Sequence, residues 1–123
     1  MPWVQRIPAQ SPWEEQCGSS RACRRDGVIE VSGTTAAGES AYDQARGALA
    51  AVLAAVVALG GGAGDVVRTR IFVVDIAANG EAVGRAHREA LGMVAPATAI
   101  YGVAGLHAPG LLVAIEATAR LGE

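Results

Sequence analysis

Apolar and polar residues near the start of the chain follow a pattern that predicts a β-hairpin. Residues 28–33 are rich in β-branched side chains and end at a Gly-Thr-Thr turn region, which is typical of a strand. Residues 20–24 predict its partner strand, because Asp26 and Gly27 between two extended runs are a strong hairpin signal. Residues 3–7 predict a further strand before this hairpin.

Two helices are predicted from apolar residues that recur at helical spacing. Ser40, with Asp43 three residues later, resembles a capping box, and the apolar positions continue to the glycine run at 60–62, which supplies a left-handed cap. The second helix is predicted from residue 79 or 80 to residue 91, with most of its charged residues facing outward. His87 falls on the apolar side of this helix, which favours a core or interface position.

The remaining extended segments complete a sheet. Residues 66–75 alternate in character and predict a long strand with two different faces. Pro96 blocks helix continuation, and residues 97–103 and 111–120 predict two more strands. The order is therefore β-β-β-α-β-α-β-β, and we expect an α+β fold with a mostly antiparallel sheet and two helices on one face.

The sheet face opposite the helices is predicted to be polar and uncovered. It would present these residues among aliphatic ones: Glu30, Ser32, Arg68, Arg70 and Glu116. Such a face needs cover, so we expect self-association through the sheets, with small-molecule sites between subunits. In the strand at 97–103, alternation separates Tyr101 from Thr98 and Ile100, and we expect Tyr101 to point towards the helices, in the core.

Composition limits the classes of protein that fit. A chain of 123 residues with 51% hydrophobic content is expected to form one domain over residues 1–123. A net charge of −2 gives no broad positive field, so nucleic acid is not an expected partner. The N-terminus lacks the pattern of a secretory signal, and the apolar run at 48–59 is shorter than the roughly 20 residues of a membrane span, so we expect a cytoplasmic protein. Cys17 and Cys23 lack metal-ligand or disulfide-scaffold spacing, which predicts free thiols and no metal.

The most distinctive segment of the chain is residues 65–75, which read Asp-Val-Val-Arg-Thr-Arg-Ile-Phe-Val-Val-Asp. Further motifs, in matching order and spacing, lie at residues 11–16, 28–34, 44–46, 82–87 and 96–98. Together they resemble the Rid (YjgF/UK114) imine-deaminase-like family over nearly the whole chain.

The resemblance implies a chorismate-mutase-like fold that assembles as a trimer around a barrel-like core of three sheets. It also implies small-molecule clefts at the three subunit interfaces and no cofactor. Deaminating members hydrolyse reactive enamines and imines, such as 2-aminoacrylate, to a keto acid and ammonia. In those members an arginine holds the substrate carboxylate, and a carboxylic side chain helps to position the attacking water.

This chain departs from the family at those positions. Thr98 stands two residues after the proline, where the family has arginine, and Ala95 stands before it, where some relatives have arginine. Ala114 replaces the usual acid, and Ser19 replaces a common aromatic residue. An arginine makes two charge-assisted hydrogen bonds to a carboxylate, each contributing about 1.5 to 3 kcal/mol, and a threonine cannot replace them. We therefore expect 2-aminoacrylate to be a poor substrate.

A cleft lined by Thr98, Ile100 and Ala114 would be wider and more neutral, and would suit a larger, less charged molecule. The resemblance adds three further substrate-binding residues, Ser19, Thr34 and Trp13. His107 is also predicted to bind substrate, because it lies in a Gly/Pro-rich loop, where functional side chains are common. Trp13 could equally be a packing anchor in an irregular segment whose Glu14 and Glu15 are solvated, and His107 could equally lie at plain surface.

Glu30 and Ser32 are the predicted catalytic residues. Glu30 interrupts an apolar strand and, by alternation, projects on the same face as Ser32. Its carboxylate could serve as a relocated acid or base. The alternative is structural: Glu30 and Glu116 would pair with Arg68 and Arg70 across the sheet, and Ser32 would be a turn serine that bonds backbone.

These observations favour a cofactor-independent enzyme that acts on a reactive imine, enamine or enol, repurposed for specialised metabolism. The alternative is a non-catalytic small-molecule-binding or scaffold protein that uses the same clefts. Ribonuclease activity, attributed to some relatives, is disfavoured because the chain has no basic stripe with interleaved aromatics.

Overall fold

A computed structural model describes residues 3–122, which form six strands and three α-helices. The strands are β1 Val4–Ile7, β2 Ala22–Arg25, β3 Val28–Thr34, β4 Val66–Val74, β5 Ala97–Val103 and β6 Val113–Arg120. The helices are α1 Pro12–Cys17, α2 Ala41–Ala58 and α3 Ile76–Leu91.

All six strands form one sheet in the order β1-β2-β3-β6-β4-β5. Every neighbouring pair is antiparallel except β4 and β5, which are parallel. The hairpin predicted at Asp26 and Gly27 joins β2 to β3, and Asp26 adopts a left-handed φ of 54° in its turn. The predicted α+β fold with a mostly antiparallel sheet is confirmed.

Helices α2 and α3 pack on one face of the sheet, as predicted. The largest core side chains are fully buried between these layers, and Ile29, Ile71 and Ile115 come from the three central strands. Ser40 caps α2, because its Oγ accepts a hydrogen bond from the backbone N–H of Asp43 at 3.1 Å. None of the helices in residues 3–122 is both long and apolar enough to cross a membrane.

One helix was not predicted, and another begins earlier than expected. The segment interpreted as irregular contains α1, which Ser11 caps at its N-terminus and Gly18 ends with a left-handed φ of 70°. Helix α3 begins at Ile76 because Asp75, at φ 54°, turns the chain directly out of β4. The side chain of Asn79 then donates a hydrogen bond to the carbonyl of Val74 at 2.8 Å, across the start of the helix.

The predicted orientation of β5 is wrong. Tyr101 is 44% exposed and stacks on Phe72 with ring centroids 5.5 Å apart, on the face that the helices leave uncovered. Thr98 and Ile100 instead pair with Thr69 and Ile71, which are buried against the helices. Alternation separates the two faces of a strand, but the Ala- and Gly-rich sequence of β5 does not indicate which face is inward.

Candidate functional site

Glu30 and Ser32 line one cavity of about 350 Å³ on the uncovered face of the sheet. Arg6, Cys23, Arg70 and Glu116 also line it. In the β2–β3 hairpin Cys23 lies directly across from Glu30, and both cysteines of the chain are free thiols, as predicted. The predicted catalytic pair therefore shares a concave, charged surface.

Glu30 is held by a neutral hydroxyl. Its Oε1 accepts a hydrogen bond from Oγ1 of Thr118, across β3 and β6, at 2.7 Å. Nη1 of Arg70 lies 3.8 Å from Oε1 of Glu116, as expected if the charges on this face pair with each other. Within residues 3–122, however, Glu30 forms no ion pair with either Arg68 or Arg70, so its carboxylate remains available to other groups.

Ser32 makes the backbone contact that its structural interpretation expects, although with another residue. Its hydroxyl donates to the carbonyl of Ser20 at 2.7 Å. The single hydroxyl proton is thereby engaged, and the oxygen keeps its capacity to accept. Ser32 is suited to accepting a hydrogen bond from a ligand more than to acting as a nucleophile.

A second cavity, of about 260 Å³, brings together Trp13, Thr34 and His107. The rings of Trp13 and His107 stack with centroids 4.9 Å apart and planes 7° apart. This contact joins α1 to the loop between β5 and β6. The stacked pair of aromatic rings thus lies at one side of the cavity.

A buried ion pair that the sequence did not suggest forms the polar wall of this cavity. Glu14, expected to be solvated, is only 7% exposed, whereas Glu15 is exposed as expected. Oε2 of Glu14 lies 2.9 Å from Nη1 of Arg21. Burial lowers the pKa of Arg21, and the charge of Glu14 opposes that shift. The only indication in the sequence was the Ser11-Pro12 start of a short helix that carries Glu14 inward.

The three residues predicted to line one cleft do not meet within one chain. Thr98 and Ile100 lie on the helix side of the edge strand β5. Ala114 pairs with Phe72 on the opposite face and is buried there. Ser19 lies just beyond α1, where its hydroxyl donates to the carbonyl of Glu14 at 3.3 Å, and it lines neither of the two cavities.

Thr98 takes part in a hydrogen-bonded chain that the sequence did not reveal. Its Oγ1 lies 2.8 Å from Oγ1 of Thr69, which lies 2.8 Å from Nε2 of His87 in α3. Burial lowers the pKa of His87, so its imidazole is neutral at pH 7. His87, predicted at a core or interface position, is half-buried, and the sequence did not indicate these partners.

A third cavity, of about 490 Å³, lies between α2 and α3 and contains none of the predicted site residues. Tyr42 donates a hydrogen bond to Glu89 there, and this bond raises the pKa of Tyr42. The guanidinium of Arg85 lies 4.6 Å from the centre of the Tyr42 ring. In the described part of the chain, no three His, Cys, Asp or Glu side chains are grouped to hold a metal ion.

Residues 12–121 match the family model described as endoribonuclease L-PSP. An uncharacterized protein of Streptomyces coelicolor is 35% identical over 97% of this chain and 93% of its own length. A crystal structure from Mycobacterium tuberculosis, described as a member of the YjgF/YER057c/UK114 family, is 39% identical, with a TM-score of 0.92 over 97% of this chain and all of that one. A Pseudomonas aeruginosa protein of unknown function is 31% identical, with a TM-score of 0.84 over 98% of this chain and 94% of that one.

Proposed function

This chain belongs to the endoribonuclease L-PSP (YjgF/YER057c/UK114) family, and from that premise we propose that it is a cofactor-independent enzyme that acts on a reactive imine, enamine or enol. The observation that carries the proposal is the carboxylate of Glu30, which lines a cavity together with Ser32 and is engaged by Thr118 rather than by an arginine. We place the reaction in the cytoplasm.

The active assembly is proposed to be a homotrimer, which is typical of this family. Within the described residues, no helix packs over the sheet face that carries Glu30, Arg70 and Glu116, so neighbouring copies would cover it. Small-molecule clefts would then lie where two copies meet. This arrangement also explains how Thr98 and Ala114, which lie on opposite faces of one sheet, can belong to one cleft.

Glu30 is proposed to exchange a proton with the substrate. An imine must be protonated on nitrogen before water attacks its carbon, and a carboxyl group within hydrogen-bond reach can deliver that proton from solvent. Its carboxylate form then balances the positive charge of the iminium. Ser32, whose oxygen can only accept while its proton bonds Ser20, would orient an N–H or O–H group of the substrate.

The substrate is proposed to be larger and less charged than 2-aminoacrylate. Thr98 and Ala114 occupy the positions of the family's arginine and acid, so a small carboxylate would lack its two usual partners. A repurposed role in specialised metabolism fits this change. The test is turnover of three neutral probes: the methylamine and benzylamine imines of benzaldehyde, and the enol of phenylacetaldehyde.

A second candidate function is non-catalytic binding of a small molecule, and the cavity beside Trp13 and His107 favours it. The charges of Glu14 and Arg21 neutralise each other there, and the stacked rings of Trp13 and His107 offer an aromatic surface to a flat ligand. Saturable binding of the probes without turnover would favour this alternative. Cleavage of single-stranded RNA would instead favour the activity named in the family's description, against which the net charge of −2 argues.

A further inference from the structure

Three side chains connect the interior of the protein to the edge of its sheet. Oγ1 of Thr69 lies 2.8 Å from both Nε2 of His87 and Oγ1 of Thr98. Thr69 is fully buried, His87 is half-buried, and Thr98 is exposed on the edge strand β5. The hydrogen-bonded chain therefore begins at the imidazole of His87 in α3 and ends at the hydroxyl of Thr98, which an approaching molecule can contact.

Each hydroxyl has a single proton, so only two arrangements of the protons make both contacts of Thr69 hydrogen bonds. In the first, Thr98 donates to the carbonyl of Pro96, 3.0 Å away, Thr69 donates to Thr98, and His87 donates from Nε2 to Thr69. In the second, Thr98 donates to Thr69, and Thr69 donates to Nε2 of His87. The second arrangement leaves the oxygen of Thr98 free to accept a proton from outside.

We propose that His87 exchanges protons with the substrate through the hydroxyls of Thr69 and Thr98. This inference rests on the proposed function, because Thr98 of one copy and Glu30 of a neighbouring copy would have to reach the same substrate in a cleft between copies. Burial lowers the pKa of the imidazole and keeps it neutral at pH 7. In the second arrangement, with that proton on Nδ1, Nε2 can accept the proton that Thr69 delivers. The same burial disfavours the imidazolium, so the proton is readily returned.

The proton movements balance in each half of imine hydrolysis. Water forms a bond to the iminium carbon, and the π electrons of the C=N bond move to nitrogen. One proton of this water moves to the hydroxyl of Thr98, while the Thr98 proton moves to Thr69 and the Thr69 proton moves to His87. His87 then releases its proton to solvent, and Glu30 takes one from solvent. In the second half Glu30 protonates the nitrogen, the C–N bond breaks, and the hydroxyl proton leaves along the same chain as the carbonyl forms.

Substitutions at Thr69 separate the hydroxyl from the packing it occupies. Thr69→Val keeps the shape of the side chain and removes its proton, whereas Thr69→Ser keeps the hydroxyl. We expect Thr69→Val to lower kcat on the neutral probes by about 100-fold or more, with KM little changed, and Thr69→Ser to retain most of the activity. Thr98→Val should reproduce the loss, because Thr98 is exposed and its replacement leaves the core intact. Wild-type kcat in both folded valine variants would overturn the proposal.

The hydrogen-bonded chain can also be tested without turnover, by ¹⁵N NMR of the imidazole of His87. Without a substrate, the carbonyl of Pro96 accepts from Thr98 and favours the first arrangement, in which His87 carries its proton on Nε2. The proposed reaction requires a shift to the second arrangement when the attacking water donates to Thr98. Thr98→Val frees Thr69 to donate to Nε2, so we expect the population protonated on Nδ1 to rise, with no such change in an Ala97→Val control. Ring resonances that do not respond to Thr98→Val would overturn the relay. A response of His87 without turnover of any probe would support the relay's connectivity and contradict the proposed function.

Discussion

Glu14 in α1 and Arg21, just before β2, form an ion pair in which Oε2 lies 2.9 Å from Nη1. Nη2 of the same guanidinium donates to the carbonyls of Ser32 and Gly33 at 2.7 and 2.9 Å, and to the hydroxyl of Thr34. One ion pair thus joins the short helix to the end of β3. It positions Trp13 beside His107, because Trp13 is carried by the same helix.

Replacing Glu14 by Gln is expected to destabilise the fold. The change leaves the half-buried charge of Arg21 without its carboxylate, and breaking a buried pair costs about 3 kcal/mol in the free energy of unfolding. Urea denaturation at fixed protein concentration measures that cost. Glu15→Gln, one residue away and exposed, is the matched control and should change the free energy of unfolding by less than about 0.5 kcal/mol. Equal effects of the two changes would contradict a structural role for the pair.

His87 is expected to make the fold sensitive to mild acid. Burial lowers its pKa below the ordinary value of 6.5, so as the pH falls through 6.5 the unfolded chain binds a proton before the folded one does. The stability that is present above pH 6.5 is therefore lost as the pH falls towards the pKa of His87 in the folded protein. His87→Gln cannot bind that proton, and its free energy of unfolding should fall less than that of the wild type between pH 7.5 and 5. Parallel pH dependences in the two proteins would show that His87 does not contribute.

Hydrolysis of 2-aminoacrylate is expected to be weak or absent in the wild type. Thr98 and Ala114 lack the charges that hold its carboxylate and position the attacking water in the family. The double change Thr98→Arg, Ala114→Glu should raise keto-acid release in a coupled assay, provided that its melting temperature shows an intact fold. Release by the wild type at the rate of an arginine-bearing relative would contradict the expectation.

The assembly is expected to be a trimer in solution. Light scattering at micromolar concentration should give three times the chain mass of 12.4 kDa. Arg70→Glu places two acidic groups beside each other on the uncovered face, next to Glu116, and should weaken the trimer. A single-chain mass for the wild type would refute both the assembly and the proposed clefts between copies.

Much of the fold could be predicted from local patterns, because hairpin turns, helix caps and β-branched runs are coded by neighbouring residues. Alternation correctly placed Glu30 and Ser32 at one cavity. It failed at β5, where small residues such as Ala99 do not distinguish the inner face from the outer one. The contacts of Thr69 with His87 and Thr98 join residues 18 and 29 positions apart in the chain, so no local pattern could indicate them.

The central claim, that Glu30 exchanges protons with the substrate, makes a specific prediction for one substitution. Glu30→Gln keeps the shape of the side chain and, through its amide oxygen, the hydrogen bond from Thr118, but it cannot transfer a proton. Since the amide keeps that shape and hydrogen bond, and Glu30 forms no ion pair within residues 3–122, the substitution should leave the melting temperature and the assembly unchanged.

The most direct test measures kcat/KM of Glu30→Gln and of the wild type on the benzylamine imine of benzaldehyde, together with the melting temperature of both proteins. Thr118→Val, which removes the hydroxyl that holds the carboxylate, serves as an intermediate case and should lose less activity. The account predicts a fall in kcat/KM of about 100-fold or more for Glu30→Gln at an unchanged melting temperature. Turnover by Glu30→Gln at the wild-type rate would contradict proton exchange by Glu30, whether or not the melting temperature falls. Glu30 would then be a structural residue of the uncovered face.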